Sequence, residues 1–509
     1  MKRNILILVT VFCSIILSSC DDFLDKDPLD QISSGTFWQS KGDYEMALTA
    51  CYGNLQNSMF SSGMPNWDVL TDNGYGQHNY WGTKDIVQGN ISSTSGGYIS
   101  SIFSSSYSAI ARINVFLDKL EAYEGSEISA DEKLKYQAEA RFLRGFYYYY
   151  LYFCYGSVPV ITEPLTLETQ YQAKSSAADV LAQTLSDIDF AIENLPNVNY
   201  FSGESGHAVK SSAQALKARL LLYTAYDNQG NANTSTMAQV KALAEDIIGQ
   251  GYELSDEYTE VFRDGTQEGN EEIIFSIKFL APDESTSMDQ WYGDWIVISP
   301  LQNLVDAYEM NNGLAIGDAG SGYDAANPYN NRDPRLGKTI FEDYVDFGDG
   351  KVHRPSNGRP SGYGLAKFLS PDLMPYGYST QSQQDWVMFR LGEVLLMLAE
   401  AQNEIEGADE TVYNAINAIR DRADMPHIPV GLSKEQMREK IRKERRIELA
   451  FEGLRYYDLK RWRLAGDVLN NVSDGIISYH FEDKFYLWPI PESEIEKNQG
   501  KLEQNPDYL

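Results

Sequence analysis

Residues 138–153 of the chain read AEARFLRGFYYYYLYF. Apolar and small side chains recur at every third or fourth position of this stretch, at Ala138, Phe142, Gly145, Phe146, Tyr149, Tyr150 and Phe153. That spacing places them on one face of an α-helix, because a helix turns once every ~3.6 residues. The stretch therefore predicts a long helix whose apolar face packs against other helices.

Helical periodicity recurs along the chain and predicts a mostly α fold with long loops. The other predicted helices cover residues 212–226, 387–404, 411–422 and 433–452. Ser433 and Gln436 have the spacing of a capping box, in which two side chains satisfy the first free amides of a helix. Strand-like runs are few, and we place them at residues 272–277 and 158–161.

Two of the helices carry the small-x-x-x-large-x-x-small spacing of tetratricopeptide repeats. The residues are Ala138, Phe142 and Gly145 in one helix, and Ala218, Leu222 and Ala225 in the other. Small residues let paired helices approach closely, and the large residue fills the gap between them. Because the intervals between the helices are irregular, we predict a degenerate solenoid embedded in a larger fold.

Three predicted loops are long and rich in Gly, Ser, Asn and aromatic residues, at 61–108, 281–300 and 313–334. Loops longer than ~15 residues inside a compact domain are usually functional or disordered. Disordered segments are poor in aromatic residues. The composition therefore favours a functional role for these loops.

The composition is that of a globular protein, with 43% hydrophobic and 23% charged residues among 509. The formal net charge of -31 argues against nucleic acid as a partner, because such binding depends on Lys and Arg at phosphates. It also disfavours phosphorylated or heavily sulfated ligands, so a neutral ligand fits best. Solubility at a crowded surface would account for the same charge.

The N-terminus has the pattern of an export signal. Lys2 and Arg3 precede an apolar run of about 13 residues, which is too short for the ~20 residues of a transmembrane helix. Residues 17–20, LSSC, are similar to a bacterial lipobox, which implies that Cys20 is lipidated after cleavage. We predict a signal peptide over residues 1–19 and a lipidated acidic tether over residues 20–35. The alternative is an ordinary secretory signal with a chance cysteine.

The acidic residues after Cys20 resemble the surface-export signal of Bacteroidetes-type lipoproteins. Two further cysteines, Cys51 and Cys154, lie in apolar helical patterns. Buried free thiols are the expected state of such cysteines, although the sequence leaves a disulfide open.

Six blocks in order along the chain resemble the SusD/RagB family of outer-membrane glycan-binding lipoproteins. The blocks are 20–24 with 36–38, 138–148 with 155–159, 331–336, 390–401, 444–455, and 488–491 with 504–508. The resemblance implies a SusD-like fold with about four tetratricopeptide-type helix pairs and a loop-rich remainder. It divides the chain into an N-terminal region, 36–265, and a C-terminal region, 266–509, which form one compact unit.

The same resemblance implies a function. The protein would sit in the outer membrane through its lipid, facing the exterior, as the lid of a SusC-like TonB-dependent barrel. It would capture a poly- or oligosaccharide without catalysis or cofactor and pass it to that barrel. Two alternatives remain open, a peptide-binding adaptor lipoprotein of the same kind of transporter and a secreted glycoside hydrolase.

Carbohydrate binding needs flat apolar faces against sugar rings and planar polar groups at the hydroxyls. Two stretches offer both, residues 72–85 and 290–295. The predicted ligand-binding residues are Asn73, Tyr75, His78, Tyr80, Trp81, Trp291, Tyr292 and Trp295. Ordinary packing, or contact with the barrel, is the alternative for each. The tryptophans expected in the core are Trp38, Trp386, Trp462 and Trp488.

Glu444, Glu448 and Glu452 fall on one stripe of a predicted helix. They fit either a carboxylate pair for glycoside hydrolysis or buried ion pairing, and interleaved basic residues favour pairing. The expected partners are Lys440, Arg445, Arg446 and Arg455.

Motifs for other chemistry are absent from the sequence. There is no His-Glu-x-x-His, Gly-x-Ser-x-Gly or P-loop, and the five histidines are scattered, so we predict no metal site and no catalytic residue. Asp318, Asp324 and Asn327 lack the spacing of a calcium loop, which favours a plain turn.

Overall fold

The computed structural model describes residues 37–202 and 206–508. The predicted signal peptide, the lipidation site Cys20 and the whole of the acidic tether therefore lie outside the described residues. Within the described ranges, no helix combines the length and the apolar character needed to cross a membrane.

The described chain is mostly helical, as predicted. Its α-helices are α1 (Lys41–Gly53), α2 (Thr83–Val87), α3 (Tyr98–Glu121), α4 (Ala130–Tyr155), α5 (Ala177–Asn194), α6 (Lys210–Thr224), α7 (Thr234–Ile248), α8 (Gln302–Ala307), α9 (Arg335–Thr339), α10 (Leu391–Glu406), α11 (Glu410–Arg422), α12 (Lys434–Glu448), α13 (Arg455–Arg461), α14 (Ala465–Leu469) and α15 (Glu492–Lys497). Helices α3 to α7 pack in chain order, each against the next, and α7 packs against α10. Helix α10 in turn contacts α11 and α12, so the solenoid continues across the long insertion between α7 and α10.

Local sequence explains the bounds of α4. Ser129 and Glu132 form a capping box before its first turn, and Gly156 ends it with a φ of 70°, which favours glycine. Gly145 lies where α4 meets α5, and a Cβ there would come within 2.9 Å of the Ile188 side chain. The small residue of the repeat spacing thus allows the close helix approach that the sequence predicted. The capping box predicted at Ser433 and Gln436 is also confirmed, at the start of α12.

Short strands form two-stranded antiparallel sheets in the described residues. They are β1 (Gly74–Gly76), β2 (Ile273–Ile277), β3 (Ile298–Pro300), β4 (Ile340–Phe341), β5 (Val345–Asp346), β6 (Val352–His353), β7 (Gly364–Leu365) and β8 (Trp386–Arg390). The pairs are β1 with β3, β2 with β8, β4 with β7, and β5 with β6. The strand predicted at 272–277 is therefore confirmed.

Several sequence-based assignments of elements and their bounds are wrong. Residues 387–390 belong to strand β8 instead of the start of α10, because a buried apolar run reads alike in both structures. Residues 158–161 form no strand. The predicted loop 61–108 ends early, since α3 begins at Tyr98 and buries its apolar residues beneath a serine-rich surface.

One large apolar core includes buried residues from Tyr44 to Leu502. Trp386, Trp462 and Trp488 are buried as predicted, while Trp38 is half-buried and packs against Tyr44 with the ring centroids 5.2 Å apart. Cys51 and Cys154 are buried free thiols, which excludes a disulfide between them.

The Glu444–Glu448–Glu452 stripe forms a buried ion-pair network, as predicted, but with other partners. The Glu448 carboxylate accepts hydrogen bonds from Arg335, Arg390 and Arg422, with the Arg335 Nη1–Oε2 and Arg390 Nη1–Oε1 distances 2.9 and 2.8 Å. These cations hold the pKa of Glu448 well below its usual range. Helix α12 ends at Glu448, so Glu452 lies beyond it.

The four expected basic partners bind elsewhere. Arg446 and Arg455 both pair with Asp72, each at 3.0 Å, Arg445 pairs with Asp458 at 3.1 Å, and Lys440 pairs with Glu309 at 3.4 Å. Partner choice depends on which segments the fold brings to α12, and helical spacing alone does not contain that information.

Candidate functional site

A short sheet brings the two predicted ligand-binding stretches together. Strand β1 pairs with β3 so that Tyr75 lies opposite Ser299, and the Gln77 amide donates to the Val297 carbonyl at 3.0 Å. Residues 72–85 and 290–295 therefore lie side by side, although they come from opposite halves of the chain.

The edge-to-face contact between Trp81 and Trp291 joins the two stretches. Their ring centroids are 5.7 Å apart, with an interplanar angle of 62°. Both rings are half-buried, so each keeps part of its surface open to solvent. Edge-to-face packing fixes aromatic rings relative to each other beyond what burial alone does.

Trp291 lies in a single π-helical turn, Gln290–Asp294. The Trp295 amide closes this turn by donating to the Gln290 carbonyl at 3.0 Å. π-helical turns are rare and occur frequently at functional sites. Here the turn carries Trp291 and Trp295 on one short segment.

The loop that holds Trp81 has an unusual backbone. Trp81 has a φ of 53° and Gly82 a φ of 70°, so two consecutive residues adopt the left-handed conformation. The Asn79 side chain braces the loop, since its Nδ2 donates to Asp85 Oδ2 at 2.9 Å and its Oδ1 accepts from the Lys84 amide at 2.9 Å. A non-glycine residue in this conformation costs free energy, and such residues are enriched at functional sites.

Tyr378 is a neighbour of the site that the sequence analysis missed. It is 87% exposed, the most exposed large hydrophobic side chain in the described residues. Its ring meets the Trp295 ring edge to face, with the centroids 5.5 Å apart. The signal available in the sequence was a pair of tyrosines, Tyr376 and Tyr378, in a segment rich in Pro, Gly, Ser and Thr.

Two of the predicted ligand-binding residues are buried, which corrects the prediction for them. Asn73 is 0% exposed, and its amide joins Asp68 to Arg446 through hydrogen bonds of 2.7 and 2.8 Å. Tyr292 is also 0% exposed, and its hydroxyl donates to the Ser62 carbonyl at 2.8 Å. Both side chains satisfy buried polar groups of the scaffold and present no surface to a ligand.

The other six predicted residues reach the surface at least in part. His78 and Tyr80 are exposed, with ring centroids 5.2 Å apart, and Tyr80 continues to Trp81 at 5.9 Å. Tyr75 is half-buried beneath Lys84, whose Nζ lies 5.2 Å from the ring centroid. We define the aromatic surface as Tyr80, Trp81, Trp291, Trp295 and Tyr378.

Neutral groups support the π-helical turn from behind. His353 Nε2 lies 2.7 Å from the Gly293 carbonyl oxygen and donates to it, and burial lowers the pKa of this histidine. Asn357 Nδ2 donates to the Asp294 carbonyl at 2.6 Å. A lowered histidine pKa keeps the imidazole uncharged at neutral pH, so it adds no charge beside the aromatic surface.

In residues 37–202 and 206–508, no three His, Cys, Asp or Glu side chains are grouped to hold a metal ion. Asp324 instead accepts hydrogen bonds from the Ala326 amide and Asn327 Nδ2, at 2.9 and 2.8 Å, which close a turn.

Together these features define a helical protein with an exposed aromatic surface on its loops. The comparisons with known proteins give the family. A family model described as the SusD family matches residues 259–508, and one described as starch-binding, associating with the outer membrane, matches residues 22–222. The chain belongs to the SusD/RagB family.

Relatives support the assignment over nearly the whole chain. SusD-like protein P25 of Formosa agariphila is 27% identical, over 98% of each chain. A SusD-like protein from Bacteroides fragilis has a crystal structure with a TM-score of 0.80 and 26% identity, over 95% of this chain and 100% of that one. A second, a SusD-like carbohydrate-binding protein from the same species, has a TM-score of 0.78 and 26% identity, over 92% and 99%.

Proposed function

We propose that this protein binds a poly- or oligosaccharide at the aromatic surface and passes it to a SusC-like TonB-dependent outer-membrane transporter, as the lid of that transporter. The observation that carries the proposal is the Trp81–Trp291 contact, which fixes two half-exposed indole rings at the junction of two loops. Flat apolar faces beside hydrogen-bonding groups suit sugar rings. A relative described as carbohydrate-binding and a family model described as starch-binding support the same ligand class.

The proposed cargo is neutral. The net charge of -31 would repel a polyanion approaching the molecule as a whole. His353, which contacts the π-helical turn at the Gly293 carbonyl, is uncharged at neutral pH because burial lowers its pKa. For the same electrostatic reason we expect no nucleic-acid partner.

The proposed location is the outer membrane, facing the exterior, through lipid on Cys20. The lipobox-like residues 17–20 support the anchor, and the family model described as associating with the outer membrane supports the location. We also propose that the protein has no catalytic activity of its own. The Glu448 and Glu452 carboxylates, which were candidates for glycoside hydrolysis, are buried and paired with arginine and lysine.

The position of the aromatic residues separates glycan binding from peptide binding. A peptide adaptor of the tetratricopeptide type would hold its ligand in a groove between helices, with aromatic residues inside that groove. Trp81 instead lies in the loop before α2, and Trp291 and Trp295 lie in or beside a π-helical turn between β2 and β3. This placement favours the glycan.

The test is binding of the chain from residue 21 onward to a panel of plant, microbial and host polysaccharides. A variant with Trp81, Trp291 and Trp295 all changed to Ala is measured beside it. Leu167→Ala is the control, because Leu167 is 81% exposed in the connection between α4 and α5. We expect binding to one glycan class that the triple variant loses and the control keeps. Failure to bind any glycan, alone or with a co-expressed transporter, would reject the proposal.

A further inference from the structure

A cavity lies apart from the aromatic surface and shares no residue with it. Its volume is about 420 Å³, which falls in the range of small-molecule sites. The ends of α4, α6 and α13 line it, together with residues 483–487 near the C-terminus.

Two cations line the cavity without a carboxylate partner. In the part of the chain that the structure describes, no ion pair within 4 Å joins Lys460 or Arg463 to a carboxylate, although Asp227 lies close enough to Arg463 to interact electrostatically. Their neighbour Arg461 differs, since it pairs with Glu400 and with Asp458 at 2.9 Å. In a chain with a net charge of -31, two adjoining unpaired cations at one cavity are unexpected.

Lys460 is the more constrained of the two. It is 1% exposed, and its Nζ donates to the Phe153 carbonyl at 3.4 Å and lies 4.1 Å from the centroid of the Phe153 ring. Burial lowers the pKa of this lysine to about 7. Buried charges in proteins are normally paired, so this ammonium group lacks the anion that would compensate its desolvation.

Arg463 lies over an aromatic ring at the same cavity. Its guanidinium carbon lies 4.0 Å from the centroid of the Tyr486 ring, and its Nη2 donates to Asn228 Oδ1. The residue has a φ of 58°, a left-handed conformation that costs free energy for a non-glycine residue. It follows the end of α13, where the Leu464 amide donates to the Leu459 carbonyl at 2.9 Å.

Tyrosine rings and aspartate carboxylates complete the lining of the cavity. The tyrosines at the cavity are Tyr152, Tyr223, Tyr226 and Tyr486. Asp483 and Asp507 line it as well, and their carboxylates would accept hydrogen bonds from hydroxyl groups while disfavouring a polyanion. The lining thus fits a ring that carries one carboxylate and several hydroxyls.

We propose that this cavity binds a uronic acid residue of an oligosaccharide, with its carboxylate on Lys460 and Arg463 and its ring beside the tyrosines. Guanidinium and ammonium groups bind carboxylates through charge-assisted hydrogen bonds, which are about twice as strong as neutral ones. The inference does not rest on the function proposed for the aromatic surface, because the two sites have different residues and opposite preferences for charge.

The test is calorimetric titration of the purified protein with digalacturonate and, separately, with its methyl ester, which has the same rings but no carboxylate. We expect the acid to bind at least tenfold more tightly than the ester. Lys460→Met and Arg463→Gln should each weaken binding of the acid at least tenfold. Lys484→Gln is the matched control and should change affinity less than twofold, since Lys484 lines the same cavity but already pairs with Glu482 at 3.0 Å.

Two further measurements keep the result interpretable. Lys460→Met should melt at or above the temperature of the unchanged protein, because it removes an unpaired buried charge, so weaker binding in it does not reflect unfolding. The triple tryptophan variant of the aromatic surface should bind digalacturonate normally. Equal binding of acid and ester, no binding of the acid, or full binding by Lys460→Met would overturn the proposal.

Discussion

The indole rings of Trp81 and Trp291 meet edge to face with their centroids 5.7 Å apart, although one follows β1 and the other precedes β3. The pairing of these two strands sets that contact, and the strained loop at Trp81 holds one of its rings. The geometry of the aromatic surface therefore depends on backbone positions that touch no ligand.

Gly97 is such a position. It has a φ of 62°, and a Cβ atom there would lie 2.0 Å from the Trp81 carbonyl oxygen. Gly97→Ala must therefore displace the Trp81 loop or the start of α3. We expect glycan affinity to fall at least tenfold and stability to fall by about 1–3 kcal/mol, the usual cost of a strained backbone position.

Gly96→Ala is the control for that change. It adds the same methyl group one residue earlier, where nothing lies within 4 Å, and its φ is not positive. Urea denaturation and glycan titration of both variants check the prediction. Equal effects of the two substitutions would mean that contact with Trp81 does not determine the loop geometry.

Tyr378 extends the aromatic surface beyond Trp295. Because the side chain is 87% exposed, Tyr378→Ala should leave the melting temperature within about one degree of the parent. If the ring stacks on sugar, glycan affinity should fall by roughly three- to thirtyfold, the effect of about 0.5–2 kcal/mol of lost contact. Val430→Ala, at an 85% exposed site between α11 and α12, should leave affinity unchanged. Unchanged affinity in Tyr378→Ala would remove this tyrosine from the ligand surface.

The sequence predicted those parts of the fold whose periodicity is long and unambiguous. Helix α4 is one example, because Ala138, Phe142 and Gly145 mark its buried face. Strand β8 was not predicted, because its five residues are all buried and their apolar sequence resembles that of the helix that follows. Strands β1 and β3 are each three residues long, which is too short to show the alternation of apolar and polar residues that predicts a strand. They form because two distant segments of the chain pair with each other.

The sequence predicted which two stretches of the chain contain the candidate site, but it did not predict which of their side chains are exposed. Trp81 and Trp291 were found because aromatic residues in polar loops are unusual. Asn73 and Tyr292 lie in the same stretches, yet both are buried and form hydrogen bonds with Arg446 and Ser62. Exposure depends on which distant segments cover a loop, and a single sequence does not contain that information.

The network around Glu448 predicts a large loss of stability. Glu448 is 0% exposed, and its carboxylate pairs with Arg335, Arg390 and Arg422. Glu448→Gln removes that negative charge and leaves the three arginines buried beside a neutral amide. Breaking a buried ion pair by removing one partner costs about 3–5 kcal/mol. We expect a loss of that size in urea denaturation, with reduced expression.

The matched substitution is Glu439→Gln on the same helix. Glu439 is 71% exposed and pairs only with Arg442 at 3.0 Å within the described residues, so its loss should cost less than about 1 kcal/mol. If the two variants proved equally stable, the buried network would contribute no more than a surface pair.

Asp289 predicts a dependence of stability on pH. It is buried, accepts hydrogen bonds from the Ser370 amide at 2.6 Å and from the Ser382 hydroxyl, and burial raises its pKa from 3.8 to about 7. Between these two values the folded protein holds a proton that the unfolded chain has released. Stability therefore falls as the pH rises from about 4 to about 7, by at most about 1.4 kcal/mol per pH unit from this group.

Asp289→Asn removes the titration while keeping an oxygen that accepts from Ser370. The variant should gain stability relative to the parent as the pH rises from 4.5 to 7, and the difference should level off above pH 7. Charged and titratable neighbours that share the site are Arg263, Asp264 and Tyr376, and they remain in both proteins. Melting temperatures at pH 4.5, 5.5, 6.5 and 7.5 measure the difference.

Asp324→Asn is the control for this measurement, because the pKa of Asp324 is shifted in the opposite direction to that of Asp289. Hydrogen bonds from Asn327 and the Ala326 amide lower the pKa of Asp324, so its contribution is complete above pH 4 and lost only as the pH falls further. The difference between Asp324→Asn and the parent should therefore stay constant from pH 4.5 to 7.5. A flat difference for Asp289→Asn as well would show that Asp289 is ionised in the folded protein throughout, with Ser370 and Ser382 outweighing its burial.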